Sequence, residues 1–364
     1  MAAESMIKLT RGVPPAESFP ADKLAVCAAE VLAQHGDIIL QYGPSRGFPG
    51  LLALIAQETG VAESQVIIGQ GSLQLQDLCA RMFVEAGDVV YTEDPSYDRT
   101  LTVLRRAGAR VVGIPLDDDG PNIEMLQNRL QAGERPVLFY IIPDFQNPSG
   151  TLLSLEKRQR IAALAQQYGF WVIEDVPYRK LRYAGVDLPT LFELAPDRVI
   201  QMSSFSKLIS PGLRVGFAVG PEPVIGQLAK MAEDTYINPS YLNQAMVAEF
   251  AHRGWLDAQI EVLKQLYTPR LQAMLAALET YLSGRADWRT PQGGFFVGMT
   301  LRAEVSADDL LRRAREANLL LTDGRGFFTD GGGDCFVRLP FCALTPAEID
   351  VAIARLAQVV DGLA

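Results

Sequence analysis

Between about residues 50 and 220, short continuous apolar runs alternate with longer stretches of helical period. Segments 65–69, 89–92, 110–114, 137–142, 171–175, 199–203 and 215–219 read as strands. Segments 75–86, 101–107 and 155–168 read as helices between them. A strand that is apolar on both faces must be covered on both, so strands of this kind separated by helices predict a largely parallel sheet. Beyond Pro239 the texture changes. A long helical stretch over 241–282 precedes a break at Pro291-Gln292-Gly293-Gly294. Short elements then follow, including helices over 307–317 and 346–364. The pattern predicts an α/β chain in two domains. The large one, residues 39–265, holds a mostly parallel seven-stranded sheet flanked by helices. A smaller α+β domain takes 266–364, and residues 1–38 form an amino-terminal arm and part of that small domain.

Composition narrows the partners. Of the 364 residues, 33 are Lys or Arg and 43 are Asp or Glu, for a net charge of −10. That balance disfavours electrostatic binding to nucleic acid or to an anionic membrane. The longest apolar runs, such as 137–142, are far short of the ~20 residues that span a bilayer. The first residues lack the basic and apolar regions of a signal peptide, so a cytoplasmic protein is expected. The four cysteines form no C-x-x-C pair, and neither a zinc site nor a disulfide framework is suggested. The two histidines, His35 and His252, each sit where a helix is expected to end. No metal centre is expected, and the proton carrier of any enzyme here is a residue other than histidine.

In open α/β sheets ligands bind beyond the carboxyl ends of the strands, so the loops there matter most. Gly69-Gln70-Gly71-Ser72-Leu73-Gln74 lacks the third glycine of a dinucleotide fingerprint, and no Walker motif is present. Gly331-Gly332-Gly333 reads as a turn. Gly71-Ser72 opens a helix, and its free N–H groups suit either an anion or a plain serine cap. Asp175 at the tip of an apolar strand needs a partner to offset its desolvation. The loop from Ser203 to Arg214 combines Ser204, Ser206, Lys207 and Arg214. A lysine crowded by cations and removed from water becomes a nucleophile for carbonyls; a solvated lysine beside a structural arginine is the plainer reading. With Asn147-Pro148-Ser149-Gly150 after another strand, these segments look like parts of one site.

The order Tyr42-Gly43, Gly71-Ser72, Asp94-Pro95-Ser96-Tyr97, Asn147-Pro148-Ser149-Gly150, Asp175-Val176-Pro177-Tyr178, Ser204-Phe205-Ser206-Lys207 with Arg214, and Arg338-Leu339-Pro340-Phe341 resembles the fold-type I pyridoxal-phosphate enzymes, class I/II aminotransferases. Within them it is most similar to the aminoadipate aminotransferase branch and to the aminotransferase-like domain of MocR regulators. The resemblance covers nearly the whole chain from about Leu9 and implies an aspartate aminotransferase-like fold.

The resemblance also implies roles. Lys207 would form the internal aldimine with pyridoxal 5'-phosphate and shuttle the substrate's α-proton. Asp175 would keep the pyridine nitrogen protonated, Tyr178 and Asn147 would meet the ring hydroxyl oxygen, and Tyr97 would stack on the ring. The phosphate would rest on Gly71, Ser72 and Leu73, with Ser204, Ser206 and Arg214 as further donors. Leu73 stands where many relatives carry a polar residue, at a contact that is largely main-chain. Tyr42 would reach the partner's phosphate across a homodimer interface. Arg338 would grip the substrate α-carboxylate, alongside Asn147.

The expected reaction is transfer of an amino group between an amino acid and a 2-oxo acid. The alternatives are a β-lyase using the same cofactor, or a sensor that binds cofactor without turnover. In the segment Leu9 to Pro14, Arg11 and Gly12 would lie over the substrate side chain. Arg11 could read a distal carboxylate or pair with a structural acid; Arg46 is a second candidate or a solvated loop residue.

Overall fold

The computed structural model describes residues 5–363. Its main sheet has eight strands, in the order Val66–Gly69, Gly216–Val219, Val199–Ser204, Trp171–Asp175, Leu138–Ile141, Val89–Asp94, Arg110–Asp117 and Gly120–Pro121. The seven expected strands are all present, and the eighth is the two-residue Gly120–Pro121 that folds back on its neighbour. Only that strand and Gly216–Val219 run against the rest. The alternation of side chains explains why these strands are apolar throughout. Val66, Phe139, Val172 and Val199 face one buried cluster, while Ile67, Leu138, Ile173 and Ile200 face the other.

Some elements depart from the sequence reading. The expected helix over 241–282 is two helices, Tyr241–His252 and Trp255–Leu282, separated at Gly254 with φ of 70°. The apolar period continues across the break and hides it, but a left-handed glycine ends a helix. The first sheet helix begins at Ser72 rather than 75, and ends at Phe83. His252 closes its helix, and His35, with φ of −133°, marks the kink at which the regular helix from Ala21 ends within Ala21–Ile39.

Two further sheets complete the chain. Ala286–Trp288, Phe296–Leu301 and Phe336–Pro340 form an antiparallel sheet that carries Arg338. The amino-terminal strand Ile7–Leu9 pairs in parallel with Leu319–Leu321. That pairing directs residues 10–13 over the carboxyl edge of the main sheet, where they line a cavity.

Candidate active site

Val66–Gly69, Val89–Asp94, Leu138–Ile141, Trp171–Asp175 and Val199–Ser204 share one direction and end at one edge of the sheet. A cavity of about 530 Å³ opens there. Gly71, Ser72, Leu73, Tyr97, Asn147, Asp175, Tyr178, Ser204, Ser206, Lys207, Arg214 and Arg338 all line it, as do Arg11 and Gly12. Tyr42 and Arg46 do not. Tyr42 is 76% exposed on the outer surface of this chain.

Lys207 Nζ donates to the carbonyl of Gly12 at 3.1 Å. Burial lowers its pKa, and the charges of Arg338 and Arg214 push the same way, against Cys342 and Asp175. A lysine held there gives up its proton more readily than one in water, which is what a nucleophilic amine requires.

Asp175 is 3% exposed. Its Oδ2 accepts from Gln76 Nε2 and from Tyr140 Oη, each at 2.8 Å, while Oδ1 is buried without a partner. Burial pushes this carboxyl up to about 6, and the two donors pull against that rise. Gln76 and Tyr140 were not legible as site residues. A glutamine on a helix reads as solvated, and a tyrosine inside an apolar strand reads as core.

At the opposite end, Gly71 precedes the helix Ser72–Phe83 with φ of 80°. A Cβ there would lie 2.5 Å from Arg214 Nη2, and one on Gly216 would lie 2.4 Å from Ser72 N. The two glycines therefore bring a helix start, an arginine and the neighbouring strand into close contact. Arg214 reaches back to the carbonyl of Gln70 at 3.0 Å. The Ser204 and Ser206 hydroxyls are 2.9 Å apart beside it. Free N–H groups, hydroxyls and a guanidinium converge as they would on a phosphate.

Arg338 comes from the antiparallel sheet and is 7% exposed. Its guanidinium lies between the rings of Phe296 and Phe327, 4.8 and 4.7 Å from their centroids. It donates to Asn147 Oδ1 at 3.0 Å and to the carbonyl of Thr10 at 2.7 Å, and its Nε has no partner. Burial raises the phenol pKa of both Tyr97 and Tyr178, so each stays a hydrogen-bond donor.

Residues 4–356 match the family described as aminotransferase class I and II. The chain belongs to that family, and it is a transaminase that uses pyridoxal phosphate. It is 36% identical to the 2-aminoadipate transaminase of Thermus thermophilus, over 98% of this chain and 91% of that protein. It is 31% identical to aromatic-amino-acid aminotransferase 1 of Thermococcus litoralis, over 98% of this chain and 88% of that one. The crystal structure of the Thermus thermophilus α-aminoadipate aminotransferase LysN, complexed with N-(5'-phosphopyridoxyl)-L-leucine, superposes with a TM-score of 0.94. That likeness has 36% identity and covers 99% of this chain and 93% of the other.

The cavity fits the cofactor. The unpartnered Oδ1 of Asp175 can accept from a protonated ring nitrogen, and the glycine cradle with Arg214 can take the phosphate. Bound there, pyridoxal phosphate supplies an aldehyde for condensation with amines and a ring that accepts electrons when Cα loses its proton. Among the described residues no cluster of side chains could hold a metal ion, and no helix is long and apolar enough to cross a membrane.

Proposed function

We propose that this transaminase takes its amino group from an acidic amino acid, such as glutamate or aminoadipate. Lys207 is the amine that holds the cofactor and moves the Cα proton. Asp175 accepts from the ring nitrogen, Tyr178 and Asn147 meet the ring oxygen, and Tyr97 covers the ring face. Ser72, Ser204, Ser206 and Arg214 bind the phosphate, and Arg338 binds the substrate α-carboxylate.

The charge left over in the cavity carries the substrate reading. The cavity holds the cations Arg11, Arg99, Lys207, Arg214 and Arg338 and the acids Asp98 and Asp175. In these roles the phosphate answers Arg214 and the α-carboxylate answers Arg338. Asp98 lies 3.8 Å from Arg99. Arg11 makes no ion pair or hydrogen bond among the described residues, so the structural-acid alternative has no partner to offer it. A distal carboxylate would supply that missing charge. The aminoadipate transaminase of Thermus thermophilus acts on such a substrate by name.

Half-reaction spectra against glutamate, aminoadipate, tyrosine and leucine test this. The two acids should react fastest, and Arg11→Gln should lower kcat/KM for them about ten- to hundredfold while sparing leucine. Tyrosine or leucine outpacing both acids in the native protein would overturn the reading. Release of pyruvate and ammonia without an oxo-acid acceptor would mark elimination instead.

A homodimer belongs to the same proposal. Ile38, Leu40 and Tyr42 are 51, 71 and 76% exposed at the end of the first helix, an apolar surface suited to a second copy. Light scattering should give twice the chain mass. All four cysteines are free thiols, which suits the reducing cytoplasm.

A further inference from the structure

Asp175 uses its two oxygens unequally, and the cause lies outside the cavity. Gln76 is 2% exposed on the helix Ser72–Phe83, and Thr100 is 2% exposed on the helix Asp98–Arg106. Neither lines the cavity. Gln76 Nε2 donates to Asp175 Oδ2 at 2.8 Å, and Gln76 Oε1 accepts from Thr100 Oγ1 at 2.7 Å. A carboxylate can only accept, so the amide NH₂ must face Asp175, and the amide oxygen is then left for the threonine hydroxyl. The three groups hold each other in one arrangement. Tyr140 supplies the second donor to Oδ2 from the strand beside Asp175.

Nothing in the apolar packing asks for an amide at this place. The nearby side chains Leu75, Leu78, Cys79 and Leu104 belong to an apolar cluster, and the polar partners Gln76 serves are Asp175 and Thr100, which an apolar residue would leave short of a partner. What the amide adds is a donor to a buried carboxylate. Two donors stabilise the anion against burial, and because both engage Oδ2 they fix the plane of the group. Oδ1 is then the only oxygen free to accept.

We propose that Gln76, oriented by Thr100, is a positioning residue that aims Asp175 Oδ1 at the ring nitrogen of the cofactor. The proposal rests on the reading that Asp175 faces that nitrogen.

The test uses holoenzyme loaded with ¹⁵N-labelled pyridoxal phosphate, with the ring-nitrogen resonance read at neutral pH beside the cofactor dissociation constant. In the native protein the resonance should sit at the protonated position. Gln76→Leu removes one donor, which destabilises the Asp175 anion. The proton shared between ring nitrogen and Oδ1 should then shift toward the carboxyl by about tenfold, as loss of a hydrogen bond to a charged group allows. Cofactor affinity should fall by a similar factor. Thr100→Val should move both readouts in the same direction by less, and Thr100→Ser, which keeps the hydroxyl, should restore them. Thr100→Val also serves if Gln76→Leu does not fold. A loss of thermal stability in the Gln76 and Thr100 variants, with resonance and affinity unchanged, would overturn the proposal if Asp175→Asn still moves the resonance. No movement in Asp175→Asn would overturn the reading of Asp175 as well.

Discussion

Arg338 and Asn147 lie 191 residues apart and are joined by a 3.0 Å hydrogen bond from guanidinium to amide oxygen. One comes from the antiparallel sheet and the other from a loop beyond the main sheet. The bond orients the Asn147 amide, since its oxygen is occupied and its NH₂ is directed elsewhere. In the roles proposed above, a change at Arg338 would reach the cofactor through Asn147.

Arg338→Lys keeps the charge but loses the planar fork and its place between Phe296 and Phe327. We expect KM for amino acids to rise about ten- to hundredfold, a loss of about 1.5–3 kcal/mol, with the cofactor retained. Steady-state kinetics and the absorption spectrum of the purified variant check both halves.

The phosphate end should respond in the opposite way. Arg214→Ala should weaken cofactor retention about ten- to hundredfold and leave the Arg338 interaction with substrate intact. Gly216→Ala should do the same by a different route, because its Cβ would press on the backbone at Ser72, which has no room to give. Equilibrium dialysis measures both. Finding that Arg214→Ala instead raises KM alone would show that the two arginines have been assigned the wrong way round.

Asp175→Asn keeps size and hydrogen bonding but removes the charge that, in the proposed role, answers the ring nitrogen. Removal of the Cα proton should slow about a hundredfold or more, equivalent to about 2.7 kcal/mol of barrier. Single-turnover kinetics with Cα-deuterated substrate report that step, and the isotope effect should grow as it becomes limiting.

Glu93 offers a pH signature outside the cavity. It is 1% exposed, and burial pushes its carboxyl up to about 8 against the donors Ile142 N and Gln146 Nε2. The folded state then binds this proton more tightly than the unfolded chain. Its contribution is complete at acid pH and is lost as pH rises toward 8. Glu93→Gln stays neutral and should remove that loss, so native and variant should diverge by on the order of 4 kcal/mol between pH 5 and 8.5. Chemical denaturation at several pH values would reveal it, and parallel curves would show that Glu93 does not titrate in this range.

The parts of the fold set by unbroken patterns were readable in advance. The Asp175 strand was predicted as 171–175 and observed over those residues, since its apolar run ends at a charged pair. The Lys207 loop stood out because cations and hydroxyls crowd into a short span after an apolar strand. The support around Asp175 was not legible. Gln76, Thr100 and Tyr140 meet only through tertiary packing of two helices and a strand, and each taken alone reads as ordinary. The break at Gly254 was hidden for a different reason, because apolar residues continue in helical period on both sides.

Among the described residues the strand Ile7–Leu9 pairs only with Leu319–Leu321, and the residues just after it lend carbonyls to Arg338 and Lys207. Synthesis makes the first of these strands more than three hundred residues before the second. During synthesis Ile7–Leu9 cannot pair until Leu319–Leu321 has also been made. The roof over Lys207 is therefore among the last pieces to settle, and a nascent chain stalled short of Leu319 would leave that lysine open to water and to stray carbonyls.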